Sequence, residues 1–191
     1  MCEHITPFDT KTQFIILMHP KEYRKTKNGT GHFTNKSLKN SKIFIGIDFS
    51  YHHEINKIIN NKNNECFLLY PDKNSINLSK TKVETNKNIV IFILDSTWPC
   101  SRKMLRLSKN LQSLQKLSFD NNISSNFLIK KQPMQNCLST IESTLQILKL
   151  LKEHNQENIC EKNLEQFIKP FFKMVEYQLE CAKEFKTVRY K

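Results

Sequence analysis

Side chains that could do chemistry gather in one short stretch of this sequence, Asp95-Ser96-Thr97-Trp98. An acid can take or hold a proton, two hydroxyls can hold a polar ligand, and the only tryptophan of the chain offers a broad apolar face with a single donor. Asp, Ser and Thr are also the usual helix-capping residues, and Pro99 suits the first helical position, so the stretch could simply open a helix. A cap needs only one of them, whereas an added tryptophan usually packs on a ring, a sugar or a pocket wall. Location favours a ligand site. The six apolar residues from Ile89 to Leu94 read as a parallel strand covered on both faces, and ligands bind outside the carboxyl ends of such strands.

The elements that must position this stretch alternate in type. Thr12 to Met18 predicts a buried strand closed by His19-Pro20. A basic loop, Lys21 to Lys27, precedes a short helix over about His32 to Lys39. Ile43 to Phe49 predicts a second strand, in which Gly46 marks a close approach or a bulge. Residues His52 to Asn60 predict a helix facing inward through Ile55, Ile58 and Ile59, and Cys66 to Tyr70 a third strand. Residues 72–88 are polar, with almost nothing to bury, and read as a surface excursion.

After the strand at Ile89, a helix from Pro99 places Met104, Leu107, Leu111 and Leu114 on one face. Arg102, Arg106 and Lys109 lie on the opposite face, beside the suspected pocket, which suits phosphate contacts. Phe127 to Ile129 predicts a last strand. Ser139 with Glu142 forms a capping box for a helix buried through Ile141, Leu145, Leu148 and Leu151. The final helical stretch, from Asn158 to about Phe185, buries Ile168, Phe171, Phe172, Val175 and Leu179, with a kink or a new start at Pro170. The whole predicts one α/β domain over residues 1–191, a mainly parallel sheet with helices on both faces.

Composition narrows the function. Thirty Lys and Arg against eighteen Asp and Glu leave a net charge of +12 over 191 residues, which fits a polyanion such as RNA or DNA. No apolar run approaches the ~20 residues of a membrane helix, and Met1-Cys2-Glu3-His4 does not open a signal peptide; a cytoplasmic protein with no membrane partner is expected. The six cysteines never form C-x-x-C, and Cys2-Glu3-His4 offers two ligands where structural zinc wants four. Free, mostly buried thiols and no metal are expected. Of the three glycines, Gly29 and Gly31 complete neither a dinucleotide fingerprint nor a P-loop.

Asp95-Ser96-Thr97-Trp98 followed by Arg102-Lys103-Met104 resembles the signature of the DTW-domain family, the tRNA-uridine aminocarboxypropyltransferases. Further segments resemble that family in order: His19-Pro20-Lys21-Glu22, Asn28 to Gly31, Leu69-Tyr70-Pro71, Ile129 to Pro133 and Leu138 to Glu142. The resemblance implies a SPOUT-like α/β fold with a C-terminal knotted cofactor region. It implies S-adenosylmethionine as donor, held by three loops: Leu69, Tyr70 and Pro71; Leu94, Ser96, Thr97 and Trp98; and Leu138, Ser139, Thr140 and Glu142.

Asp95 would be the catalytic acid–base residue. His19, Arg24, Lys25, Arg102, Lys103, Arg106, Lys130 and Lys131 would meet tRNA, with no obligate protein partner. Of the family's cysteine-rich zinc module only Cys2 has a counterpart, so that module is expected to be absent, and Lys130 replaces a usual arginine, losing bidentate geometry there. The implied reaction moves the 3-amino-3-carboxypropyl group to uridine N3. A SPOUT-like methyltransferase and a non-catalytic basic RNA-binding or maturation factor are the alternatives.

Overall fold

The computed structural model describes residues 2–25, 28–120, 125 and 138–188. Six strands form one all-parallel sheet: β1 (Gln13–Met18), β2 (Ser41–Ile45), β3 (Asn64–Leu69), β4 (Ile76–Asn77), β5 (Asn88–Asp95) and β6 (Gln115–Ser118). Their order across the sheet is β2-β1-β5-β3-β6-β4. Seven α-helices lie among the described residues: α1 (Pro20–Lys25), α2 (Thr30–Ser37), α3 (His53–Ile59), α4 (Trp98–Leu107), α5 (Lys109–Gln112), α6 (Thr140–Glu153) and α7 (Glu161–Val188). None of the described helices is long and apolar enough to cross a membrane.

Alternation along the strands builds two cores. Phe14, Phe67, Ile89, Ile91, Ile93 and Leu117 point to the face covered by α2, α6 and α7. Ile15, Leu17, Leu68, Val90 and Phe92 point to the other, covered by Ile55 of α3, Met104 of α4 and Leu111 of α5. The continuous apolar run of β5 is therefore buried on both sides, as a central parallel strand requires.

Several elements depart from expectation. Residues 21–27 are not simply a basic loop, since α1 runs from Pro20 to Lys25. The second strand ends at Ile45, because Phe49 turns back into the core and its ring closes on Gly46; a Cβ there would lie 2.9 Å from Phe49 Cε1. The polar excursion carries β4 and buries Leu78 and Val83 completely or nearly so. Its few apolar residues are thus anchors. The strand β6, with only Leu117 buried, lacks a visible pattern in the sequence.

Helix α4 stops at Leu107, where the buried Ser108 breaks it from α5, so Leu107 is exposed rather than inward-facing. Trp98, not Pro99, is its first residue. Helix α7 continues through Pro170 as one element, and its Phe172 is exposed rather than buried. The thiols of Cys66, Cys100, Cys160 and Cys181 are free but none is fully buried. Burial is still enough to push the Cys66 thiol up to about 11. The strand expected at 127–129 lies outside the described residues.

One buried carboxylate ties the start of the sheet to the helical layer. After α6, Asn155 takes a left-handed conformation (φ 57°), which the short polar side chain of Asn tolerates, and the chain turns to aim Glu157 at β1. Glu157 accepts the backbone N–H groups of Lys11 (3.1 Å) and Thr12 (2.5 Å) while itself 5% exposed. Glu157→Ala leaves two donors without their partner and is expected to destabilise the fold by about 1–3 kcal/mol. Urea denaturation checks this; a loss below 0.5 kcal/mol, roughly a surface substitution, would show that water replaces the carboxylate.

Candidate active site at the strand ends

Connections leave β1 and β5 in opposite directions, β1 toward β2 and β5 toward β6. Such a switch point opens a crevice at the carboxyl ends of the two strands, the usual ligand position in an open parallel sheet. Met18 and Asp95 stand opposite each other there. The His19 N–H donates to the Asp95 carbonyl at 3.1 Å, closing the pairing one residue beyond the ladder.

His19 is buried (5% exposed), and its Nδ1 accepts the Lys21 N–H at 3.1 Å. Burial, reinforced by the Lys21 and Lys103 charges and opposed by Glu22, holds its pKa below the ordinary value, so the imidazole is neutral at pH 7. As placed, His19 supports the rim from beneath and is not part of the exposed basic surface.

The Asp95 carboxylate sits against the first turns of two helices. From α6, Thr140 Oγ1 donates to Oδ1 at 2.6 Å. From α2, Gly31 packs so closely that a Cβ on it would fall 2.3 Å from Oδ2 and 2.8 Å from Cγ. Only glycine admits the carboxylate there.

The plain capping explanation of the Asp-Ser-Thr run fares poorly. Thr97 occupies the N-cap position of α4 yet makes no side-chain cap bond; its carbonyl accepts the Ser101 N–H at 2.8 Å. Ser96 Oγ instead pairs with Ser101 Oγ at 2.7 Å. Trp98 meets the ring of Tyr70 edge-on, with centroids 6.2 Å apart, so the loops after β3 and β5 join in an aromatic wall.

Leu69 ends β3, Leu94 packs into the core around Phe92, and Pro71 is exposed beyond them. The capping box forms as expected: the Ser139 N–H and Oγ donate to Glu142 Oε2 at 2.9 and 2.6 Å, and Ser125 Oγ joins them at 2.8 Å. Both residues are nearly buried, and half-buried Leu138 precedes them.

The structure thus gathers Tyr70, Asp95, Trp98 and Thr140 at one rim, with Ser139 and Glu142 holding the first turn of α6 behind Thr140. Arg24 on α1 and Arg102, Lys103 and Arg106 along α4 are exposed. Lys130, Lys131 and the Lys25 side chain lie outside the described residues. Reasoning from sequence missed the role of Gly31, which lies in the first turn of α2 where the helix was expected to begin only at His32. Among the described residues no group of three or more potential ligands could hold a metal ion.

The Gly31–Asp95 contact predicts a coupled pair. Gly31→Ala is expected to destabilise by about 1–3 kcal/mol through overpacking. In an Asp95→Ala background only the flexible end of Met18, 3.0 Å away, is left to give way, and the same change should become nearly neutral or gain up to about 1 kcal/mol from helix propensity. A double-mutant cycle of unfolding free energies checks this; additive effects would show that the two do not touch.

Comparison with known proteins identifies the family. The chain is 25% identical over 179 residues to "tRNA-uridine aminocarboxypropyltransferase 2" of Drosophila melanogaster, covering 91% of this chain and 67% of that protein. It is 25% and 21% identical to proteins of the same name from Macaca fascicularis and Mus musculus, over 78% and 79% of this chain, and spans about half the length of each (51%). No solved structure matches. The DTW domain matches residues 1–179, the site loops included, and the chain therefore belongs to the DTW-domain family.

Proposed function

We propose that this protein transfers the 3-amino-3-carboxypropyl group of S-adenosylmethionine to N3 of a uridine in tRNA. The observation that carries the proposal is the Asp95 carboxylate at the sheet's switch point, tied to Thr140 and three residues before Trp98, whose ring meets Tyr70. A family match and relatives named for this reaction support it.

The residues present suit the donor. A carboxylate complements a cationic sulfonium and ammonium, the aromatic pair offers apolar area for a nucleoside ring, and the rim has no glycine cradle of the kind that binds a dinucleotide. The Leu69–Pro71, Leu94–Trp98 and Leu138–Glu142 loops would hold it. The donor supplies a carbon activated by its sulfonium: uridine N3 bonds to that carbon, the N3 proton departs, and the C–S electrons leave with methylthioadenosine.

Asp95 accepts the N3 proton as the base, and the Thr140 hydroxyl keeps its carboxylate oriented. Trp98 and Tyr70 shield the reacting atoms from water, while Arg24, Arg102, Lys103 and Arg106 meet tRNA phosphates. The SPOUT-like, knotted form of the fold belongs to this proposal as well; the link between β6 and α6 that would carry it lies largely outside the described residues.

Asp95→Asn keeps the shape and can still accept from Thr140, so it tests the charge alone. Transfer to tRNA is expected to fall by about 10²–10⁴-fold, with tRNA affinity and melting temperature nearly unchanged. Equal loss of affinity and transfer would remove Asp95 from the chemistry. Product analysis by mass spectrometry is expected to find methylthioadenosine; adenosylhomocysteine would identify a methyltransferase instead.

A further inference from the structure

Tyr51 is 94% exposed, the most exposed large apolar side chain among the described residues, yet the residues on either side of it are firmly held. Before it, Phe49 is buried (1% exposed), its N–H donating to Ser108 Oγ at 3.0 Å and its carbonyl accepting from Asn110 Nδ2 at 2.9 Å. Ser50 Oγ donates to the Leu107 carbonyl and accepts the Lys109 N–H, each at 3.0 Å, and the Ser50 carbonyl accepts from Asn56 Nδ2 at 2.9 Å. After it, His52 caps α3 through Nδ1 and sets its ring against Phe44, centroids 4.8 Å apart. A loop free to fold its aromatic inward would do so. This one is pinned on both sides with the phenol ring held in water.

The ring stands at the far end of a cationic track. The Lys103 charge is felt at buried His19, beneath the site rim, and Arg106 and Lys109 continue along α4 and α5 to the junction where Ser50 is bonded. Helix α4 bridges the two ends over about 15 Å. The only acid in residues 46–52, the exposed Asp48, accepts the Ser50 N–H at 2.9 Å and faces the Lys109 charge, so positive charge on this side comes from α4 and α5 alone. Leu107, also exposed, lies beside the same junction.

We infer that Tyr51 is a stacking platform for an unpaired base of the RNA substrate, with Lys103, Arg106 and Lys109 tracking the phosphates between that base and the site at Asp95. An aromatic face beside a basic groove is how single-stranded segments are gripped without reading their sequence. Holding the ring in advance removes the cost of ordering it on binding. The inference rests on tRNA being the substrate and adds the surface that receives it.

Binding of unmodified tRNA is measured against salt concentration for the wild type, Tyr51→Ala, Tyr51→Phe and Arg106→Ala. Tyr51→Ala is expected to weaken binding about 5- to 150-fold, and Tyr51→Phe, which keeps the π face, to bind nearly as the wild type. The salt slope should stay unchanged in Tyr51→Ala, because the ring carries no charge, and drop by about 0.7–0.9 in Arg106→Ala. Melting temperature and S-adenosylmethionine binding should not move in either Tyr51 variant. Wild-type tRNA binding that Tyr51→Ala leaves intact would overturn the inference alone and point to a protein partner for this loop. A wild type that binds no tRNA would overturn it together with the proposed substrate.

Discussion

The hydrogen bond from Thr140 to Asp95 is the constraint on which the site depends, because its two residues come from opposite ends of the architecture. Asp95 ends the central strand, and Thr140 begins a helix that arrives from the C-terminal part of the chain. Only when β5 is packed on both faces, and α6 is seated against that sheet, can the hydroxyl reach the carboxylate. The glycine at position 31 completes the arrangement by leaving room where any side chain would intrude.

The surroundings of that bond are arranged to keep it in place. Glu142 holds Ser139 through both its N–H and its hydroxyl, which sets the first turn of α6 and so the height of Thr140. His19 holds the Asp95 backbone from the neighbouring strand, and burial keeps its imidazole neutral. Positive charge is instead displaced outward onto α4, where water solvates it and a polyanion can reach it.

A parallel sheet suits this division of labour. Every strand delivers its carboxyl end to the same edge, so loops distant in sequence meet there. The two cores anchor the strands, and the rim is left to carry polar and aromatic groups that could not be buried inside without loss of their hydrogen bonds.

Much of this was legible in the chain. The apolar run of β5, the acid and tryptophan after it, and the Ser139–Glu142 box are local patterns: hydrophobic periodicity and capping chemistry act within a few residues, so they can be seen before folding. The features that could not be seen are those set by partners far along the chain. Strand β6 is too polar to announce itself and exists because β3 and β4 pair with it; Leu78 and Val83 become core because that edge covers them. The adjacency of β1 and β5, the burial of His19 and the fit of Gly31 against Asp95 likewise belong to the tertiary structure. Residue types set what chemistry the rim could perform, but distance and burial, which arise only when separate segments pack together, decided which of those residues meet.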